Sequence, residues 1–336
     1  MKALLSREPG GPDSLALGEV PDPVPGAGEL LVAVEATGIN FLDTLIIRDQ
    51  YQVRPPRPFA PGAEVAGVVE AVGPDAGAWQ PGDRVIAQVS HGGLAEKVVV
   101  DHTRAFTLPD AVPFATGAGL LITHGTAIYA LRDRARARTG ETMLVLGAGG
   151  GAGLAAVELG HALGLRVIGA VSSPEKAEAV RAAGAAEVVI YGRGPLDKAQ
   201  SRALGAQFKA AAGPSGLDIV YDCVGGDYAE PALRATAWKG RYLVIGFAAG
   251  DIPRVPLNLA LLKGCQIVGV FWGAFTAREG ALHRENLAEL GRWVAEGKLK
   301  PHVSGRFPLE RATEALNLMM NRQVTGKVVV TMDGAA

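Results

Sequence analysis

The run Val145-Leu146-Gly147-Ala148-Gly149-Gly150-Gly151-Ala152-Gly153-Leu154 places five glycines in the seven positions 147–153. Before it stands a short apolar run, "TMLVLG", of strand length. After it a helical stretch goes from Gly153 to Leu163 and stops at Gly164. Strand, glycine turn and helix in that order make a pyrophosphate cradle. The helix N-terminus offers free N–H groups and a partial positive charge. Glycine lets the backbone approach phosphate without a Cβ in the way. Gly153 opens the helical pattern, so it is the glycine of close helix–sheet packing. Three positions earlier, Gly150 is the point of closest approach to phosphate. Ala148 then fills the first slot of the fingerprint, and Gly149 is spare.

Downstream, "RVIGAV", "EVVIY", "LDIVYDCV", "RYLVIGF" and "QIVGVFW" repeat the apolar run, most of them separated by helical stretches. One such helix has Ser173 as N-cap, Pro174 at its first position and Gly184 at its end. Six buried strands alternating with helices predict an α/β fold with a doubly wound parallel sheet. Upstream, "ELLVAVEATGIN", "AEVAGVVEAVG", "DRVIAQV" and "AEKVVVD" are short, rich in Val and Ala, and separated by Pro/Gly clusters. They predict a β-rich domain. Towards the C-terminus a long helix, "REGALHRENLAELGRWVAEG", precedes "PLERATEALNLMMNRQ" and a closing strand, "GKVVVTMD". The chain is therefore read as a β-rich catalytic domain over 1–122 and a dinucleotide-binding Rossmann domain over 123–264. Residues 265–336 supply the last Rossmann strand and the return to the catalytic domain, with the site expected in the cleft between the two.

Composition narrows the class. The chain has 336 residues, too many for one simple core. A net charge of −1 offers no basic field for nucleic acid. No apolar run approaches the ~18 residues of a membrane span. The start, "MKALLSREPGGPD", is too short in apolar residues for a signal peptide. The 2 cysteines, Cys223 and Cys265, cannot make a disulfide framework or a four-cysteine zinc lobe. A cytoplasmic protein is expected.

The end of "RVIGAV" selects the nucleotide. NAD sites usually carry Asp or Glu there, about 20 residues after the glycine turn. Here Ser172 takes that position, followed by Ser173 and, within a turn, Lys176. Hydroxyls and an ammonium suit a 2′-phosphate, which a carboxylate would repel. Glu175 is a mild contrary sign. The expected cofactor is NADPH.

"GINFLDTLIIRDQY" (38–51), "PGAEVAGVVEAVG" (61–73), "PGDRV" (81–85), the glycine turn, "ITHGTAIYAL" (122–131), "VIYGRG" (189–194), "VYDCVGG" (220–226), "VFWGAF" (270–275) and "TGKVVV" (325–330) occur in this order. With them the chain resembles, over essentially its whole length, the zeta-crystallin-like quinone oxidoreductases. These are zinc-free members of the medium-chain dehydrogenase/reductase superfamily, with a GroES-like catalytic domain. Zinc-bearing relatives put cysteine where Asn40 stands and histidine where Ala63 stands, so the resemblance implies no metal. It implies that Gly150, Gly151, Ala152 and Gly153 hold the pyrophosphate, and that Ser172, Lys176 and Tyr191 contact the 2′-phosphate, with Ser173 beside them. Asn40, Thr126, Gly246, Phe247, Phe271 and Trp272 would lie along the nicotinamide half. Arg322 and Lys327 would reach the cofactor from the C-terminal segment. A homodimer through the nucleotide-binding sheet is implied as well.

Hydride transfer also needs a group that stabilises or protonates the anion formed. Without zinc the candidates are Asn40, Asp43 and Tyr51. Leu42, Leu45 and Ile46 suggest an apolar surround. The substrate expected is a small hydrophobic electrophile, a quinone or enone, whose reduced anion is delocalised and needs little acid. The spacing of Asp43 and Tyr51 also resembles zinc-free 2-enoyl thioester reductases, with Tyr51 as proton donor. A non-catalytic NADPH-binding protein is the remaining alternative.

Overall fold

The computed structural model describes residues 1–332, so positions 333–336 of the closing segment lie outside the described residues. The chain divides into two compact units. Unit 1 is Met1–Ile122 with Leu287–Gly297 and the chain from Pro301 on; unit 2 is Thr123–Asn286 with Lys298–Lys300.

Unit 1 opens with an antiparallel pair, β1 (Lys2–Leu5) and β2 (Ala16–Glu19). Then come β3 (Glu29–Ile39), α1 (Phe41–Ile46), β4 (Glu64–Val72), β5 (Arg84–Gln88), β6 (Lys97–Asp101), β7 (Ala105–Thr107) and α2 (Phe114–Ala118). The unit boundary falls within α3 (Leu121–Ile128). Unit 2 continues as β8 (Thr142–Leu146), α4 (Gly151–Ala162), β9 (Arg166–Val171), α5 (Pro174–Ala182), β10 (Glu187–Ile190), α6 (Lys198–Ala212), β11 (Leu217–Asp222), α7 (Ala229–Ala235), β12 (Thr236–Val244), α8 (Asn258–Lys263), β13 (Gln266–Gly269) and α9 (Trp272–Arg278). α10 (Gly280–Ala295) begins in unit 2 and ends in unit 1, to which β14 (Val303–Pro308), α11 (Ala312–Met320) and β15 (Lys327–Thr331) belong.

The sheet of unit 2 has the order β10-β9-β8-β11-β12-β13, every pair parallel. This is the doubly wound α/β arrangement. Its inner strands β8, β9 and β11 are apolar runs buried almost throughout, because helices cover a parallel sheet on both faces. The expectation of six buried strands needs correction. The edge strands expose Ile190 at 45% and Ile267 at 42%. An edge strand has a neighbour on one side only, and an apolar run does not report how many neighbours it has.

Unit 1 is built on a mixed sheet of order β14-β15-β3-β4-β5-β7, with β6 also pairing β3. β3 is the longest strand, with 11 residues, and its far end lies between β15 and β4. Ile39 is level with Val328, and Gly38 with Glu64. That register sets the first residues of β4 and β15 beside Asn40.

Two boundaries differ from the sequence reading. The helix after the glycine turn begins at Gly151 rather than Gly153, with Gly150 as N-cap. The long helix expected from Arg278 to Gly297 is broken at Glu279, which leaves helical geometry (φ −125°, ψ 48°) and separates α9 from α10. Glycine and alanine carry weak periodicity, so neither boundary is marked in the sequence. Among the described residues no helix is long and apolar enough to cross a membrane.

Two glycines should respond oppositely to alanine. A Cβ at Gly153 would lie 2.2 Å from the Gly147 carbonyl oxygen, whereas one at Gly291, inside α10, meets nothing within 4 Å. Gly153→Ala should lower stability by about 1–3 kcal/mol, and Gly291→Ala should raise it by roughly 0.5–1 kcal/mol. Urea unfolding curves of the two variants against the native protein check both signs.

Candidate active site

The cradle of unit 2 lies at the carboxyl ends of its parallel strands, where doubly wound sheets bind ligands. The chain leaves β8 through Gly147, whose φ of +72° is open to glycine and strained for other residues. Gly150 N–H donates to the Gly147 carbonyl at 3.0 Å and closes the turn. α4 then starts with no side-chain cap and no acidic residue in its first turn. Its first N–H groups and partial positive charge therefore face whatever the turn holds, which fits a pyrophosphate. Gly153 keeps α4 against the turn, as its packing at the Gly147 carbonyl shows. Gly149, expected to be spare, is in use: a Cβ there would lie 2.8 Å from Lys176 Cδ, so the lysine stem runs across it. The residue the turn most needs, Gly147, was missed. Its signal was its place directly after the strand.

Around the end of β9 the structure gathers three polar groups. Arg193 Nε donates to Ser172 Oγ at 3.3 Å. Burial first, and then the charge of Arg193, push the Lys176 ammonium below its ordinary value. A hydroxyl held by one cation, with a second cation coupled to the first, forms a setting for an anion. Arg193 was also missed, although it stands inside "YGRG" beside Tyr191. Ser173 is the N-cap of α5, with Pro174 at the first position, yet its side chain makes no capping bond. Its hydroxyl instead bonds the Glu175 carboxylate and holds that group below its usual range. Tyr191 is 8% exposed and packs on Tyr228 at 4.8 Å between ring centroids. Burial raises its phenol well above the ordinary value, and its oxygen takes a hydrogen bond from the Gly147 backbone. Tyr191 thus braces the turn.

The remaining candidates of unit 2 part company. Gly246 and Phe247 follow β12, where Phe247 rests against Gly225 and is 39% exposed. Thr126 lies half-buried on α3. Phe271 is 63% exposed, while the adjacent Trp272 is 6% exposed and packed on Gly125 and the His283 ring. Within this core the Trp272 indole N–H has no hydrogen-bond partner.

In unit 1 the expected catalytic residues cluster where β3 ends. Asn40 is the N-cap of α1, and its backbone N–H donates to Asp43 Oδ2 at 2.7 Å. Gly62 N–H donates to Asp43 Oδ1 at 3.2 Å. Burial pushes the Asp43 carboxyl up to about 7, against the pull of these two hydrogen bonds and of Lys327. The Asn40 amide nitrogen donates to Glu64 Oε1 at 2.9 Å and to the Gly38 carbonyl at 3.2 Å. Both amide hydrogens are therefore taken by protein acceptors. Lys327 Nζ donates to Asn40 Oδ1 at 2.6 Å and pairs closely with Glu64 Oε1. The Glu64 side chain is 0% exposed and that of Lys327 5%. Lys327 and Arg322 belong to unit 1; Arg322 is exposed, with φ +57°, just beyond α11. Tyr51 is half-buried against the core of unit 1, and burial, then the Asp43 charge, raise its phenol. Ala63 is buried beside Glu64. Among the described residues no three His, Cys, Asp or Glu side chains are grouped so as to hold a metal.

Comparison with known proteins covers the whole chain. Residues 26–110 match the alcohol dehydrogenase GroES-like domain, and residues 183–330 match a family described as zinc-binding dehydrogenase. Quinone oxidoreductase-like protein 2 of Rattus norvegicus is 37% identical over 93% of this chain and 87% of its own. The mycobacterial protein Rv1454c, solved with NADPH, has a TM-score of 0.90 and 33% identity over 98% of this chain and 99% of its own. Escherichia coli quinone oxidoreductase, also solved with NADPH, has a TM-score of 0.88 and 27% identity over 98% of this chain and 100% of its own. A glycine turn on a parallel six-stranded sheet, a GroES-like unit and these full-length likenesses lead to one conclusion: the chain is an oxidoreductase of the quinone oxidoreductase family, within the medium-chain dehydrogenase/reductase superfamily.

Proposed function

We propose that this chain is an NADPH-dependent reductase that passes hydride, without zinc, to a quinone or an activated alkene. The observation that carries the cofactor half is Arg193 on Ser172, where an NAD site usually has a carboxylate, with Lys176 close enough to Arg193 to feel its charge. Relatives named quinone oxidoreductases support the substrate half. So does the chemistry of unit 1. Bound NADPH supplies the hydride. Asp43 keeps both oxygens on backbone N–H groups, and Asn40 keeps both amide hydrogens on acceptors. Tyr51, with its phenol raised, is a weak acid. A substrate whose reduced anion is delocalised, and which water can protonate, suits such a site. Asn40 and Ala63, where zinc relatives carry ligands, support a zinc-free reading.

The main test is NADPH oxidation with a panel of quinones, enones and enoyl thioesters. Quinones or enones should turn over, and Tyr51→Phe should keep at least about half of that rate, since no strong acid is needed. Turnover of thioesters alone, abolished by Tyr51→Phe, would establish a 2-enoyl thioester reductase instead. Tight NADPH binding with no turnover would establish a non-catalytic protein.

Cofactor choice is tested separately. Each charge-assisted bond to a phosphate contributes about 1.5–3 kcal/mol. Arg193→Ala and Lys176→Ala should therefore each raise KM for NADPH roughly 10- to 100-fold and leave KM for NADH unchanged. Equal effects on both cofactors would remove the 2′-phosphate assignment.

We further propose a cytoplasmic homodimer. Both cysteines are free thiols, which suits a reducing compartment. β13 is the edge of the parallel sheet, and beside it Trp238, Leu257, Leu261, Leu262 and Ile267 are 69, 73, 80, 70 and 42% exposed. An unpaired edge with an apolar border favours pairing with a second copy. Leu261→Glu with Leu262→Glu should halve the mass measured by sedimentation equilibrium. A native protein already monomeric at micromolar concentration would remove this reading.

A further inference from the structure

The Lys327–Glu64 ion pair is the most fully buried charge pair among the described residues, and the reaction as proposed does not use it. Its surroundings are built around it. Strand order β15-β3-β4 brings Lys327, Asn40 and Glu64 to one end of three adjacent strands. A Cβ at Gly119 would lie 2.9 Å from Lys327 Cγ, and one at Gly38 would lie 2.6 Å from Glu64 Oε1. The second Glu64 oxygen accepts Ile122 N–H at 2.8 Å. A buried ion pair is weak evidence of stability, because removing two charges from water costs about what their attraction returns. A specific consequence for a neighbouring group is the better explanation.

That neighbour is Asn40. A carboxamide has a donor end and an acceptor end, and rotation by half a turn exchanges them. An ammonium only donates, and a carboxylate only accepts. With Lys327 on Asn40 Oδ1 and Glu64 on its amide nitrogen, the reversed orientation would face donor to donor and acceptor to acceptor. Both amide hydrogens are used, whereas Oδ1 has a second lone pair.

We propose that Lys327 and Glu64 are positioning residues that lock the Asn40 carboxamide in one orientation, so that Asn40 meets the reactants as a hydrogen-bond acceptor and not as an oxyanion donor. The groups it recognises carry N–H or O–H, such as a carboxamide NH2 or a hydroxyl. This rests on the reading that Asn40 faces the reactants in the reductase reaction.

The test uses Glu64→Gln with Lys327→Met. The double variant removes both charges and nearly keeps their volume, and a glutamine can donate or accept, so the orientation is no longer dictated. The chain has 5 asparagines, so selective 15N-asparagine labelling of the full-length protein gives a few side-chain NH2 signals, and Asn40→Ala identifies one of them. In the native protein that NH2 should show two separate, slowly exchanging protons. In the double variant they should exchange quickly. With a quinone, kcat should fall about 10- to 100-fold, the scale set by a misplaced group, with KM for NADPH unchanged. Asn40→Ala should lower kcat in the native background and add little in the double variant. Unchanged NH2 signals with native kcat in the double variant would make the pair merely structural and overturn the proposal. If the native protein reduces no electrophile, the functional reading falls, and the NH2 signals alone decide whether the pair orients Asn40. If the double variant does not fold, Gly119→Ala presses on Lys327 Cγ without removing a charge, and the same signals are read there.

Discussion

The arrangement of unit 2 depends on one close approach: the α-carbon of Gly153 against the carbonyl of Gly147. A side chain at 153 would push α4 away from the end of β8. With hydrogen alone there, the first turn of α4 closes over the strand end, and its uncapped amides converge on one spot. Other contacts take their position from this one. The Lys176 stem crosses Gly149, and Tyr191, just past β10 at the edge of the sheet, braces the Gly147 amide. The shape of the turn follows from a backbone distance before any charged side chain contributes.

The two units handle charge in opposite ways. In unit 2, Lys176 and Arg193 approach each other closely enough for one to depress the other. Like charges held together are costly unless an anion lies between them. In unit 1, Lys327 and Glu64 are balanced, deeply buried and shared with an amide. A balanced buried network is rigid, because every alternative leaves a polar group without a partner in a low-dielectric interior. One unit is thus prepared to receive charge from a ligand. The other has satisfied its own charges and fixes geometry instead.

Asp43 lies between these cases. It caps α1 and holds Gly62 through two backbone hydrogen bonds, yet burial still pushes its carboxyl up to about 7. Desolvation outweighs both bonds and the attraction of Lys327, with the Glu64 charge adding to the rise. The residue serves the turn that presents Asn40, and its unusual carboxyl is a consequence of where that turn sits.

The strand–glycine–helix order, the alternation that makes a parallel sheet, the β-rich N-terminal part and the serine in place of an acidic residue after β9 were all legible in the sequence. Each is local, set by side-chain size and periodicity over a few residues. The sequence also named Asn40, Asp43, Tyr51 and Lys176 as polar groups at informative positions. It did not say what any of them touches. Lys327 was expected to reach the cofactor; the pairing of β15 with β3 places it, almost buried, on an amide 287 positions away. Arg193, which the sequence reading did not single out, donates to Ser172, 21 positions earlier. Trp272 and Phe271 are neighbours in sequence, yet one is core and the other surface. Which elements form, and which nucleotide class they suit, could be read residue by residue, because propensity and glycine sterics act along the chain. Which charges meet, and which way the Asn40 amide faces, emerge only in the folded chain, because they depend on strand order and register between residues far apart in sequence.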